Sequence, residues 1–335
     1  MSSVLRRTAR LSGRRRDFGI SQASTVSGGD GLPFPRVCVL VAVYEGMDFL
    51  PMQLASVLNQ QHVDVSVIVS VDLSADRSFE WISKVAQVDP RVQVLPYGER
   101  YGSASANFFR LVKEADFGNV DLAAFCDQDD YWYPDKLWRA AQAVLHGPYS
   151  GYSSSVLAWY PNGRTRLLDK VGCERTWDHL FSAPGPGCTQ VFSSELAVSF
   201  QEFLIGSWSS VRNIDYHDWL LYAFARERGH GWFIDSIPGI LYRQHGRNQL
   251  GANIGLRAAA GRLRQIRRGW YLDQVRLIAV SVGARDSRPM KHLLASSWSG
   301  RIWLVVHTKH FRRRWVESLA LSMGLVVARG VAGKN

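Results

Sequence analysis

The stretch FCDQDDYWYPDKL, residues 125–137, decides how this chain is read. Four carboxylates, Asp127, Asp129, Asp130 and Asp135, fall within nine positions directly after an apolar run. A carboxylate in such a place must be hydrated, paired or bound to a cation, because burying it alone is costly. Asp127 and Asp129 flank a single residue, and alternate side chains of an extended backbone share a face. Two carboxylates that close repel each other unless a cation neutralises them. A hard divalent ion with oxygen ligands does so and keeps positions open for phosphate oxygens. A solvated acidic loop leading into the next helix is the other reading of the same residues. That helix is expected over 134–146, with Pro134 at its first position and Asp135 after it.

The segments around this stretch set its context. VCVLVAV (37–43), VSVIVSV (65–71), VQVLP (92–96) and LAAFC (122–126) are short apolar runs rich in β-branched residues. They suit strands buried on both faces of a parallel sheet. Between them, DFLPMQLASVLNQ (48–60), RSFEWISKVAQ (77–87) and SASANFFRLVKEA (103–115) carry apolar residues at helical spacing. The order β-α-β-α-β-α-β with short connections predicts an α/β fold, a mostly parallel sheet flanked by helices. Ligands of such sheets bind beyond the carboxyl ends of the strands. The acidic cluster begins where the fourth strand ends, so it lies on that rim. Further on, residues 151–240 are mixed and turn-rich, and HDWLLYAFARERG (217–229) reads as a helix closed by a glycine.

The totals leave several classes open and close others. The 335 residues carry a formal charge of +11, which fits an anionic partner: nucleic acid, a membrane surface or a phosphorylated substrate. The four cysteines, Cys38, Cys126, Cys173 and Cys188, form no CxxC pair and read as reduced, buried thiols of a cytosolic protein. The basic N-terminus lacks the apolar core of a secretory signal and reads as a flexible tail over 1–35. No run reaches the roughly 20 apolar residues of a spanning helix. GxxxxGK[ST], GxGxxG after the first strand and GxSxG are all missing, which disfavours P-loop enzymes, dinucleotide-binding dehydrogenases and nucleophile-elbow hydrolases.

With these residues in view, the chain resembles the family 2 glycosyltransferases, in particular their bacterial rhamnosyltransferase-like branch. VAVYEGMDFLPMQLASVLNQ (41–60) resembles the opening strand and helix of that family, and VSVDLSADRS (69–78) its DDGSTD motif. RYGSASANFFRLVKEA (100–115) is similar to its NxG…NF helix, and FCDQDDYWYPDKL to its DQDD-x-W segment. HDWLLYAFA and YRQHGRNQLGA resemble its later signatures, so the likeness spans about 36–255 with the motifs in the family order.

The resemblance implies a GT-A fold and inverting transfer of a sugar from a nucleotide-sugar donor, dTDP-rhamnose or a UDP-hexose. The acceptor is a hydroxyl of a glycan or lipid-linked molecule in cell-surface polysaccharide synthesis. It implies Mg2+ or Mn2+ held by Asp127, Asp129 and His245, with Asp130 as a neighbour able to share the ion. It puts Ala42, Val43, Tyr44, Asp72 and Asp127 at the nucleotide-sugar and makes Asp218 the general base, with His217 beside it as the alternative. Asp218 near a helix N-terminus is also what the helix dipole favours, and the dipole is expected to lower its basicity. Val71 and Arg100 depart from the family pattern, where an Asp and an Asn are usual, and weaken the expectation about the donor. Arg243 and Arg247 are candidates to add positive charge near the diphosphate. SAPGPGCTQVF (182–192) is expected on the acceptor side, where Gly185 and Gly187 allow close backbone approach.

From about 256 the composition shifts to Arg-rich stretches with Trp and Leu interleaved. This predicts a basic amphipathic helical region over 256–335, with 256–315 suited to an anionic membrane at the inner face of the plasma membrane. A helical face packed on the catalytic domain is the competing reading. FRRRW (311–315) has Phe311 where the QxxRW motif of processive synthases requires Gln, so a processive synthase is disfavoured. Two other functions stand against the transferase: a catalytically inactive GT-A-like partner subunit and a basic nucleic-acid-binding protein. The second lacks any helix-turn-helix, zinc-finger or RNP signature, so no nucleic-acid partner is expected.

Overall fold

The computed structural model describes residues 33–245 and 269–327. Most of the expected N-terminal tail, Arg247 and the first part of the basic region, 256–268, lie outside the described residues. Eleven strands are present among the described residues: β1 (Arg36–Val43), β2 (Asp64–Val71), β3 (Val92–Val94), β4 (Leu122–Asp127), β5 (Tyr131–Trp132), β6 (Gly151–Ser154), β7 (Val156–Trp159), β8 (Thr165–Leu168), β9 (Val191–Ser193), β10 (Trp232–Asp235) and β11 (Ile240–Arg243). The helices up to residue 245 are α1 (Leu50–Leu58), α2 (Ser78–Val88), α3 (Ala104–Glu114), α4 (Lys136–His146), α5 (Asp178–Phe181), α6 (Ser194–Gly206), α7 (Trp208–Val211) and α8 (His217–Glu227). After it come α9 (Trp270–Ser281), α10 (Arg288–Leu294), α11 (Trp298–Val306) and α12 (Trp315–Val327).

The main sheet has seven strands in the order β10-β6-β9-β4-β1-β2-β3. All its pairings are parallel except those of β9, which runs against both β4 and β6. The sheet is buried on both faces, and the period of two sorts its side chains. Along β1, Leu40 joins Phe108, Phe125 and Phe192 under α3, α6 and α8, while Val39 and Val41 join Leu54, Val57 and Leu137 under α1 and α4. Each fully buried side chain of this size contributes roughly 1.5–3 kcal/mol. Register brings the strand ends together: Val43 pairs with Val71, and Ala42 with Asp127.

A second sheet, β5-β11-β7-β8, is not apparent from the sequence, because its strands are only two to four residues long. It ties the segment just after the acidic cluster to β11, the strand before His245. One expected boundary also moves. Pro134 does not open the helix; α4 begins at Lys136. The Lys136 amide donates to the Tyr133 carbonyl at 3.1 Å, closing a turn that has Pro134 at its second position. The fixed φ of proline suits that position.

The C-terminal helices do not stand apart. Leu272, Val275, Ile278, Phe311, Leu321 and Leu325 belong to the same apolar cluster as Phe108 and Phe181. Phe311 stacks on Phe181 at 4.2 Å, and the Tyr271 hydroxyl donates to the Phe181 carbonyl at 2.6 Å. Residues 269–327 thus follow the competing sequence reading in part, as helices packed on the domain.

Candidate active site

The carboxyl ends of β1, β2 and β4 converge on a rim whose loops are tied to one another. The Gln128 side chain accepts from the Tyr44 amide and donates to the Tyr44 carbonyl, both at 2.7 Å. Gly46 leaves room for this bracket, since a Cβ there would meet Gln128 Oε1 at 2.3 Å. The loop after β1 is also held from the β2 side. Ser74 Oγ accepts from the Glu45 amide, Ser78 Oγ from the Gly46 amide and Asp76 Oδ2 from the Met47 amide, all at 3.0 Å. These bonds support Glu45 at a φ of 45°, a conformation that non-glycine residues seldom adopt.

Ala42, Val43, Tyr44, Asp72 and Asp127 are all brought to this rim. The Ala42 and Val43 side chains face the core, so only their backbone is turned to the rim's chemistry, while Tyr44 is exposed. Asp72 accepts from the Leu73, Tyr101 and Gly102 amides at 2.8 Å each, which fixes the loop after β3. Val71 is buried in the core.

The acidic segment is braced from several sides. Asp129 Oδ2 lies 2.7 Å from His245 Nε2, and the His245 ring stacks on Phe49 at 4.8 Å. Arg243 donates from Nε to the Asp129 carbonyl at 2.8 Å, and its amide donates to Asp130 Oδ1 at 3.0 Å. Its guanidinium lies 4.3 Å from the Trp159 ring centroid. Asp130 is fully buried, and ligand atoms of Asp127, Asp130 and Cys188 lie within 4.8 Å of one another. Burial, then the Asp129 and Asp218 charges, push Asp127 up to about 7. The same two causes, burial and the neighbouring carboxylates, raise Asp130 well above the usual range. Lys136 is also fully buried, with Nζ 3.5 Å over the Trp132 ring and no hydrogen-bond partner; burial lowers it to about 7.

These carboxylates fit a hard divalent cation. They are crowded, they repel, and their affinity for protons is raised in the way that a bound positive charge would reverse. Their oxygens are the donors such an ion prefers, whereas the soft Cys188 thiol, itself pushed up by burial, is a poor partner for it.

Across the rim, Asp218 is the second residue of α8. It keeps part of its side chain exposed. The expected loss of basicity is not found: burial outweighs the Trp219 and Asp218 backbone N–H bonds and raises Asp218 to about 6. His217 is buried, stacks on Phe108 at 3.9 Å and is edge-on to Phe125 at 4.8 Å. Burial lowers it to about 3, so it is neutral at physiological pH and serves as packing. Gly187 abuts this pair: a Cβ there would lie 2.9 Å from His217 Nε2 and 3.1 Å from Asp218 Cβ. Gly185 is less confined, its nearest neighbour being Thr189 Oγ1 at 3.4 Å. Gln190 Nε2 donates to the Asp218 carbonyl at 3.1 Å.

Sequence reasoning missed three participants. Gln128 and Lys136 carry no role in the sequence reading, and Cys188 reads there as an ordinary buried thiol. A lysine directly after Asp135, with Trp132 four residues before it, was the available signal for the second. Of the four cysteines, all unpaired, Cys173 departs from the expected burial and is exposed.

A mostly parallel sheet with a carboxylate cluster at the ends of its first and fourth strands, facing another carboxylate on a helix, is the architecture of a GT-A glycosyltransferase. The comparisons agree, and the chain belongs to the family 2 glycosyltransferases. Residues 38–185 match the family model Glycosyl transferase family 2. The dTDP-rhamnosyl transferase RfbG of Shigella flexneri is 36% identical over 288 residues, which span 86% of this chain and 99% of that protein. A putative teichuronic acid biosynthesis glycosyltransferase of Bacillus subtilis, TuaG, is 28% identical over 123 residues, 36% of this chain and 47% of its own. Among solved structures, S. aureus TarS 1-349 in complex with UDP-GlcNAc superposes with a TM-score of 0.53 at 15% identity, covering 87% of this chain and 81% of that one.

Proposed function

We propose that this glycosyltransferase moves rhamnose from a dTDP-linked donor to a hydroxyl of a glycan or lipid-linked acceptor, with inversion, at the inner face of the plasma membrane. UDP-linked hexoses are the second choice of donor. The observation that carries the reading is the Asp127–Asp129 pair across the rim from Asp218, in a chain that aligns with nearly the whole of a dTDP-rhamnosyl transferase. Residues 36–255 carry the chemistry, and the basic region from 256 supports it.

In this reading Ala42 and Val43, through their backbone, with Tyr44, Asp72 and Asp127, contact the nucleotide-sugar. Asp127, Asp129 and His245 hold Mg2+ or Mn2+, and Asp130 steadies the same loop through the Arg243 amide. Such an ion supplies positive charge for the diphosphate as it leaves. Asp218 takes the proton of the acceptor hydroxyl. The oxygen attacks the anomeric carbon from the face opposite the diphosphate, and the bond to the diphosphate oxygen breaks, so one displacement inverts the centre. A base near 6 is largely ionised at neutral pH yet basic enough to accept the proton. Arg243, anchored on Asp129 and Trp159, adds fixed positive charge beside the acidic segment.

Calorimetric titration of the full chain with dTDP, UDP and GDP, each with and without Mn2+, tests the reading. Metal-dependent binding that favours dTDP is expected. Preference for another nucleotide removes the rhamnose assignment, binding indifferent to metal removes the ion, and no binding by the folded protein removes the function.

A further inference from the structure

The large apolar side chains that this protein leaves in water are unevenly spread. Among the described residues, eight of the twenty exposed ones lie between Trp298 and Val326. They form stripes. On α11, Trp298, Ile302 and Val306 follow each other at one helical turn, while Gly300 and Leu304 face inward. On α12, Trp315, Leu319, Met323 and Val326 repeat the pattern, with Leu321 and Leu325 inward. Trp298 and Trp315 are 77% and 78% exposed, which no core function explains. Ser322 Oγ of α12 donates to the Val305 carbonyl of α11 at 3.3 Å and lies 2.8 Å from Thr308 Oγ1, just after that helix.

The charge around these stripes has one sign. Between 288 and 327 there are seven Lys and Arg residues and one acidic residue, Glu317. Arg301 lies 5.2 Å from the Trp298 ring, and Lys291 and Lys309 are exposed. A second copy of such a face would meet its own charge, whereas an anionic surface complements it. Tryptophan at the edge of an apolar stripe suits the boundary between headgroup and acyl chain, where one side of the ring is wet. No helix among the described residues is long and apolar enough to cross a membrane.

We propose that the exposed faces of α11 and α12 dock on an anionic lipid surface and so present the acceptor side of the site to lipid-linked molecules. This face starts at Trp298 and continues past the 256–315 span expected from sequence. It is joined to the site by short, firm contacts. Arg313, between the two helices, donates from Nη2 to the Ala183 carbonyl at 2.6 Å, and its Nε lies 3.5 Å from the buried Asp178. Ala183 is in the loop that continues to Gly187, which packs on Asp218. The docking itself stands without the transferase assignment; the delivery of an acceptor rests on the reading above.

The test is co-sedimentation of the full chain with vesicles of phosphatidylcholine alone and of phosphatidylcholine with phosphatidylglycerol. Binding to the mixed vesicles that weakens with salt is expected. Trp298→Ser with Trp315→Ser should lower that affinity about tenfold or more, because insertion scales with the apolar area buried. Val88→Ser, at a residue 83% exposed elsewhere, should leave it unchanged. Nucleotide binding and transfer to a water-soluble acceptor should be the same in all three proteins, which separates a failure of docking from a failure of the transferase reading. No binding to mixed vesicles overturns the proposal. So does binding that the tryptophan pair does not affect, which would assign the contact to another segment. A concentration-dependent dimer that the same changes abolish would give the face to a second copy and also overturn it.

Discussion

On the function proposed above, the donor side and the acceptor side of this rim hold their carboxylates by different means. On the donor side Asp129 and Asp130 are tied by polar bonds: His245 to one, the Arg243 amide to the other, and the Gln128 bracket across to Tyr44. On the acceptor side the side chains around Asp218 place it mainly by shape, with backbone N–H groups of its own helix as its polar partners. His217 wedges between Phe108 and Phe125, and Gly187 closes against both residues. The contrast fits the two tasks. A group that gains and loses a cation needs directional partners that survive the exchange, whereas a base needs a fixed position and enough burial to keep its affinity for a proton high.

The contrast breaks most visibly at Asp218. Asp218→Asn keeps the shape and removes the proposed base, so kcat should fall by about 10²–10⁴-fold while Mn2+-dependent dTDP binding by calorimetry stays near wild type. Comparable loss of nucleotide binding would mean that the two sides are not separable. Gly187→Ala should come next. Its Cβ must displace His217 or Asp218, and a misplacement of about 1 Å costs up to about 10²-fold in rate. Donor binding should again be spared. On the other side, His245→Ala should weaken Mn2+ binding by about 10–100-fold. Thermal unfolding in metal-free buffer should barely change, since Phe49 retains its place in the loop before α1; a large fall in Tm would make His245 a structural prop.

How far these sides are legible in the sequence follows from how each is built. The strands β1 to β4 and the helices α1 to α3 announce themselves, because a sheet buried on both faces needs continuous β-branched runs and its covering helices need one apolar stripe. The rim position of Asp127 and Asp129 follows from the end of β4. The second sheet does not, because Tyr131–Trp132 and Ile240–Arg243 pair across more than a hundred residues and carry no periodicity of their own. Lys136 escapes for a related reason. Its burial depends on Trp132 and on Gly239, where a Cβ would press on Lys136 Cγ at 3.1 Å, and that contact comes from the residue just before β11. At Asp218 the sequence shows the helix start and hence the dipole, but the opposing effect of burial comes from α3, β4 and the Gly187 loop.

The smallest effect tests the acceptor side most directly, because it reads Asp218 through folding rather than catalysis. Asp218 rises from 3.8 to about 6 through burial, so between those values the folded state binds more protons than the unfolded chain. Stability from this group therefore falls as pH rises from about 4 to about 6, and the loss stays constant above that. Asp218→Asn lacks the titration. In metal-free buffer it should be more stable than wild type by about 1–3 kcal/mol at pH 7 and equal to it below pH 4. Urea unfolding of both proteins at a series of pH values measures the difference, which also includes the relief of Asp127 from the Asp218 charge. The acid limb of kcat/KM should rise with the same midpoint, near 6. A variant no more stable at pH 7 than wild type would mean that water reaches Asp218 freely, and the packing of His217 and Gly187 would then have no hold on its basicity.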